Sequence, residues 1–276
     1  MTRLPDTLLV LDVETVVDRT SLPGGRARGD YLKPIHHEVV AISIVRARIE
    51  RAGRSQAFIV EECRSGGEEG FDEGRLLAGF WRFFAELKPR LVTWHGRQHD
   101  MPILSLRAMM RGLDVSTWTE KDQGRDYRFR YDSAWHCDLA DQMADYGSTL
   151  RLTLDEAATA FGLPGKVVDG PGDVETLHRE GRIAGIRSYC ECDVLNLFGV
   201  FLHWAHSTGA STAADRDRGL AALRALLERD RASRRHFGAF ADRWRPRRAS
   251  GRPLRSATGR RRPGDPSFPA RRAGRL

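Results

Sequence analysis

The segment Thr7 to Glu14 (TLLVLDVE) is apolar on both faces until Asp12. A strand of that kind belongs in the middle of a sheet that is covered on both sides. It ends in two acids, Asp12 and Glu14, two residues apart. Side chains on a strand alternate, so both carboxylates face the same way, roughly 7 Å apart along the backbone. Two acids at the end of an apolar run are electrostatically costly unless one takes a proton or a cation neutralises the pair. Hard divalent ions such as Mg²⁺ prefer carboxylate oxygen and water. Taken alone, a chance acidic pair at a strand end accounts for the motif equally well.

Two more strands follow at Val39 to Arg46 and Gln56 to Glu62, then a helix from Gly74 to Leu87 ended by Pro89. Arg90 to Trp94 reads as a strand, and Asp100 to Arg111 as a helix with Pro102 in its first turn. Gly112 to Tyr131 is polar and irregular. Ala134 to Asp138 is a short strand leading into a helix at Leu139 to Tyr146. Thr153 to Phe161 is a helix in which Thr153 and Glu156 form a capping box. Gly162 to Gly172 is a Gly/Pro loop, and Ile183 to Trp204 is a long helix. Three successive strands suggest an antiparallel meander, and strands separated by helices suggest parallel pairing. The expectation is an α/β fold with a mixed five-stranded sheet flanked by helices. Its body spans residues 1–210. A charged helical extension covers 211–232, and 233–276 is an Arg/Pro/Gly-rich tail too poor in large apolar residues to order.

An apolar fraction of 41% is enough to fill a core. No apolar run is long enough to cross a membrane, and Met1 to Asp6 carries no signal-peptide pattern. The four cysteines match no zinc spacing and are expected as free thiols, which places the chain in the cytoplasm. No Walker-type loop is present, so ATP use is not indicated. The net charge of +8 is uneven: residues 231–276 hold 15 Arg and 2 Asp, so the body carries −5. The body is therefore no general basic surface for nucleic acid. The tail offers weak, salt-dependent phosphate attraction at best.

Tyr189 and Asp193 lie four apart and share one helix face. Asp193 heads an apolar stretch (Val194, Leu195, Leu197, Phe198), a poor place for an acid unless it points at a cation. The bland alternative is a partly exposed Asp beside a core Tyr. Asp100 taken alone reads as a helix cap. Together these residues resemble the DEDDy group of 3′–5′ exonucleases, which have a ribonuclease-H-like fold. The shared motifs are Leu11-Asp12-Val13-Glu14-Thr15, the strand and loop from Leu91 to Asp100, and Tyr189 to Asp193. The chain is similar to the predicted exonuclease family related to the proofreading domain of family B DNA polymerases. That similarity takes in Pro34 to Ser43, Leu154 through Gly165-Lys166, and Ile186 to Asn196, and it runs in order over roughly residues 6 to 205. Any single motif is weak, and the set is specific. One departure stands out: His95 and His99 occupy places where the family pattern has Asn and an aromatic such as Phe.

The resemblance implies two divalent ions, Mg²⁺ or Mn²⁺, held by Asp12, Glu14, Asp100 and Asp193, with Tyr189 orienting the attacking water. It implies a single nucleic-acid strand with a free 3′ end as substrate, DNA more than RNA, and nucleoside 5′-monophosphates as products. Thr15, His95 and Lys166 are candidate substrate contacts, although Lys166 reads equally well as an exposed loop lysine. Two alternatives stay open. One is a catalytically inactive nucleic-acid-binding module that keeps the fold, and the other is a hydrolase of another phosphoester.

Overall fold

The computed structural model describes residues 4–22, 32–67, 72–121, 126–167 and 174–244, within one compact unit, Met1–Pro246. Strand β1 (Thr7–Val17) pairs antiparallel with β2 (His37–Ala52), which pairs antiparallel with β3 (Ser55–Ser65). Helix α1 (Glu73–Leu87) leads to β4 (Arg90–Thr93), which lies parallel to β1. Helices α2 (Asp100–Met110) and α3 (Ser116–Thr119) precede β5 (His136–Asp138), parallel to β4. The sheet order is β3-β2-β1-β4-β5. This is the mixed five-stranded sheet expected from the strand and helix order, and β1 is central as its two apolar faces require.

Helices α4 (Leu139–Met143), α5 (Leu154–Ala160), α6 (Val174–Arg179) and α7 (Ile183–Ser207) follow. The Thr153–Glu156 capping box forms at the start of α5. Helix α6 was not expected from the sequence. Helix α4 ends at Met143, short of the expected Tyr146, because Asp145 and Tyr146 take left-handed backbone angles. One face of the sheet packs Leu8, Val10, Val45 and Val92 against α7. The other packs Leu9, Leu11, Ile44 and Leu91 against α1 and α2, with Trp118 and Tyr127 from the stretch expected to be irregular.

The α1 side is pinned by a buried ionic cluster. Arg107 of α2 donates to both Glu73 oxygens at 2.9 and 2.7 Å and to Asp18 at 2.6 Å, and Glu73 also accepts the Val39 N–H at 2.9 Å. Burial alone would raise the Asp18 pKa. Bonds from Thr20 and Arg107 outweigh it and hold the carboxyl at about 2.

The C-terminal region corrects the sequence expectation. Helix α8 (Ala213–Asp230) is joined by α9 (Arg235–Arg243), inside the stretch expected to be disordered from residue 233. Leu223, Leu226, Leu227, Phe237, Phe240 and Trp244 are buried in the same core as α7. No break in packing falls at residue 210. Arginines lie over the aromatics of this stretch: Arg224 of α8 is 4.0 Å from the Trp244 ring centroid, and Arg234 is 3.9 Å from that of Phe237. Residues 245–276 of the expected tail lie outside the described residues.

A disordered segment would tolerate any substitution at Phe237, whereas a fully buried ring would not. Phe237→Ala is expected to lower unfolding free energy by about 3–5 kcal/mol. Urea denaturation measures this, and an unchanged midpoint would place α9 off the core.

Candidate active site

Asp12 and Glu14 sit near the end of β1 on the face covered by α7. Opposite them, Glu14 faces Ala41 while Thr15 faces Val39, so Val40 is an extra residue in β2. A bulge of this kind bends the strand and re-aims neighbouring side chains. Helix α7 brings Cys190 against the first acid: its thiol donates to the Asp12 backbone oxygen and to Asp12 Oδ2, both at 3.4 Å. Asp12, Glu14 and Cys190 each offer an atom such that all three lie within 4.8 Å of one another. One turn further on, Asp193 is hydrogen-bonded by the Tyr189 side chain, as their four-residue spacing predicts.

Asp100 arrives from the far side as the first residue of α2 and is 3% exposed. It does not cap its helix. Its Oδ1 accepts from His99 Nδ1 at 3.0 Å, and its Oδ2 is buried with no partner among the described residues. Gly96 makes room for it, since a Cβ there would lie 2.8 Å from Asp100 Oδ2 and 2.5 Å from Thr93 Cβ. The loop before Asp100 is tied down by Asp138, whose carboxylate accepts the His95 and Arg97 N–H groups, both at 2.9 Å.

The four carboxylates act on one another. Burial, then Glu14, Asp100 and Asp193, push the Asp12 pKa well up. Burial, Asp193 and Asp100 raise Glu14 to about 8. Burial raises Asp193 to about 6, although the Tyr189 hydroxyl and Lys166 act against it. Burial also raises Asp100, against the pull of the His99 bond. Asp12 and Glu14 are disfavoured as anions by the other acids of the cluster, and Asp100 Oδ2 is an unsatisfied acceptor in their midst. Such a donor set fits hard divalent cations held by oxygen.

The weaker candidates are placed as follows. Lys166 is exposed, on a loop that Asn196 holds by accepting the Gly165 N–H at 3.1 Å and donating to its carbonyl at 2.7 Å. Its charge reaches Asp193. Gly165 is required there, with φ +67° and only 2.3 Å between a notional Cβ and Asp155 Oδ1. The Thr15 hydroxyl is 3.0 Å from His37 Nδ1. His95 lies near Asp100, and its Nδ1 receives a bond from Arg151 at 3.1 Å.

Sequence reasoning missed a polar row across the sheet. Asp12 faces Ser43 on β2, and Ser43 faces Ser65 on β3, with their hydroxyls 2.8 Å apart. Cys190 is hydrogen-bonded with Ser43. Ser65 donates to Glu191 at 2.8 Å, and Glu191 pairs with His236 at 2.6 Å and with Arg234. The one visible signal was Ser43, a polar residue inside the apolar run VVAISIV.

Against solved structures the chain is similar to the family B DNA polymerase from the hyperthermophilic archaeon Pyrobaculum calidifontis, with TM-score 0.47 and 18% identity, over 83% of this chain and 29% of that one. It is also similar to a chain in an ExoI/SSB-Ct complex, with TM-score 0.37 and 13% identity, over 74% and 46% of the two chains. A product-bound exonuclease I follows, with TM-score 0.29 and 10% identity, over 85% and 45%. The chain therefore spans less than half the length of each. No curated protein matches it. A family model does match residues 29–244, running through α8 and α9 and starting after Asp12 and Glu14. The chain belongs to that family, described as a predicted 3′–5′ exonuclease related to the exonuclease domain of PolB.

Proposed function

We propose that the protein is a metal-dependent 3′–5′ exonuclease that removes nucleotides from the 3′ end of a single strand, DNA more than RNA, and releases nucleoside 5′-monophosphates. The observation that carries this reading is the convergence of Asp12, Glu14, Asp100 and Asp193, each raised by burial and the first two also by the other acids of the set, around an unpartnered Asp100 oxygen. These four residues would hold two divalent ions, Mg²⁺ or Mn²⁺, which when bound make a water nucleophilic and stabilise the leaving 3′ oxygen.

Burial and then Asp193, Glu14 and Asp12 push the Tyr189 phenol upward, so it keeps its proton. It therefore acts as a donor that orients water or a phosphate oxygen rather than as a base. Lys166 would meet a phosphate beside Asp193. His95 accepts from Arg151 at Nδ1, which puts its own proton on Nε2. In that form it is a hydrogen-bond donor toward substrate. Thr15, on the alternate face of β1 from Glu14, is tied to His37 and would meet the terminal nucleotide from that side.

A 5′-labelled single strand with Mg²⁺ or Mn²⁺, run as matched DNA and RNA, tests the proposal. A ladder shortening from the 3′ end is expected. An uncut but shifted strand would mean a binding module, and cleavage confined to small phosphoesters another hydrolase. Asp12→Asn is expected to lower kcat by more than about a hundredfold, since even the partners of metal ligands are worth 10–100-fold. Tyr189→Phe is expected to lower kcat by about tenfold or more with KM within about twofold; an unaltered kcat would remove the hydroxyl from the mechanism.

The cluster also predicts how the metal-free protein responds to pH. Glu14 and Asp193 titrate at about 8 and about 6 when folded, above the values of about 4 in an unfolded chain. The folded state thus binds more protons than the unfolded state between about pH 4 and 8, and its stability falls as pH rises through that window. The melting temperature in a chelator should decline over that range, flatten in Glu14→Gln, and recover on adding Mn²⁺. A flat wild-type profile would mean that the acids are not crowded.

A further inference from the structure

A ledge of exposed aromatic rings is fixed to the loop that carries Asp100. Phe129 and Tyr131 are 53% and 64% exposed. Phe129 meets Tyr131 edge-on with centroids 6.0 Å apart, and Tyr131 meets Tyr146 edge-on at 4.8 Å. The Arg130 guanidinium lies 5.8 Å from the Tyr146 ring centroid, and Gln142 donates to the Tyr146 hydroxyl at 2.7 Å. Rings this exposed add little to the core, and contiguous exposed aromatics mark a surface made for contact.

The ledge is tied down by hydrogen bonds that run to the loop carrying Asp100. Arg97, three residues before Asp100, donates to the carbonyls of Tyr127 at 3.0 Å and Phe129 at 3.2 Å, which fixes the loop that bears Phe129 and Tyr131. Arg151 donates to His95 Nδ1 at 3.1 Å, to Gln98 at 3.1 Å and to Asp141 at 2.9 Å, and Arg130 shares that Asp141 carboxylate at 2.9 Å. Among the described residues, four non-glycine positions have positive φ. Three belong to this region: His95 at +61°, Asp145 at +45° and Tyr146 at +55°. Backbone held in such angles is kept by its surroundings and clusters where ligands are gripped.

We propose that this ledge stacks the bases of the single strand upstream of the bond cut at the carboxylate cluster, a proposal that rests on the nuclease reading. Flat exposed rings meet any base through its π-face, so the contact is tolerant of sequence. Arg130 and Arg151 are both turned onto one buried carboxylate, Asp141, while Arg128 is exposed next to Phe129. Stacking on the rings thus adds to whatever phosphate attraction Arg128 supplies, and the loss in a double alanine variant should persist at raised salt.

The test uses the full chain and the double variant Phe129→Ala/Tyr131→Ala, with Phe129→Tyr/Tyr131→Phe as the ring-preserving control. Anisotropy of a labelled oligothymidylate of about twelve nucleotides, in an Asp12→Asn background to prevent cutting, reads affinity without activity. The double alanine variant is expected to weaken Kd about tenfold, and the control to stay within about twofold of the parent. In the active background, KM for the long strand should rise by the same factor with kcat unchanged. Cleavage of a dinucleotide, which has no upstream bases for the ledge to stack, should not change. Unchanged Kd in the double alanine variant overturns the proposal and points to a protein partner on the rings, leaving the nuclease reading intact. An equal loss on the dinucleotide also overturns it, because the rings would then act on the cluster itself. Strand binding that depends on the rings in a wild type that cuts nothing would retire the nuclease reading and keep the ledge.

Discussion

Four carboxylates drawn partly out of water and into one another's reach, Asp100 buried and Asp12, Glu14 and Asp193 half-buried, are the constraint around which the structure is organised. Two full charges about 5 Å apart repel by roughly 3 kcal/mol at an effective dielectric of 20. Asp12 is acted on by all three of the other acids, Glu14 most strongly. A mobile scaffold would relieve the strain by turning one acid out to water. Here each acid is carried by an element that cannot yield easily. Asp12 and Glu14 stand on the central strand, Asp100 on the first turn of a helix wedged in place by Gly96, and Asp193 on a helix buried along most of its length. The cost of the cluster is therefore met by apolar burial elsewhere, and a cation that discharges it stabilises the folded state.

Helix α7 raises a further question of how its rotation is chosen. From Cys190 to Leu202 nearly every residue is buried, so apolar packing alone gives little preference for one face over another. Its polar side chains do. Cys190 can meet Asp12 and Ser43, Glu191 can meet Ser65 and His236, and Asn196 can meet Gly165 and the Cys192 carbonyl in one orientation only. In that orientation Tyr189 and Asp193 face the other acids. Buried polar contacts of this kind add specificity more than stability. They also make α9 part of the site's support, since His236 and Arg234 close the row at its far end.

What the sequence revealed follows from what is local. Period two on β1 placed Asp12 and Glu14 together, and the four-residue spacing placed Tyr189 with Asp193. The sheet was readable because its strands are unbroken apolar runs between clear turns. Asp100 was not readable alone, because an acid at the start of a helix is ordinarily a cap, and only the tertiary fold shows that it turns inward instead. Cys190 was hidden inside the Tyr-x-x-x-Asp spacing. Its importance depends on which residue of β1 lies beneath it, which only the packing of α7 on the sheet decides. Helix α9 was hidden by composition: its charged residues dilute Phe237 and Phe240, and average polarity cannot distinguish an arginine that covers a ring from one in solvent.

The two histidines that depart from the family pattern find uses in the geometry. His99 stands edge-on to His37 at 5.6 Å, and His37 is 3.0 Å from the Thr15 hydroxyl. A chain of contacts thus runs from the end of β1 to Asp100, the part an aromatic residue would play by packing. His99 adds something a phenyl ring lacks. Its bond to Asp100 raises its pKa, so it keeps a proton more readily and sets a partial positive charge against the most deeply buried acid. His95 uses its left-handed backbone to turn its N–H toward Asp138 while its ring reaches Arg151. With one carboxylate oxygen of Asp100 held by His99 and the other open, the substitutions leave the acid oriented and half-compensated rather than removed. They alter the surroundings of the cluster and keep its charge.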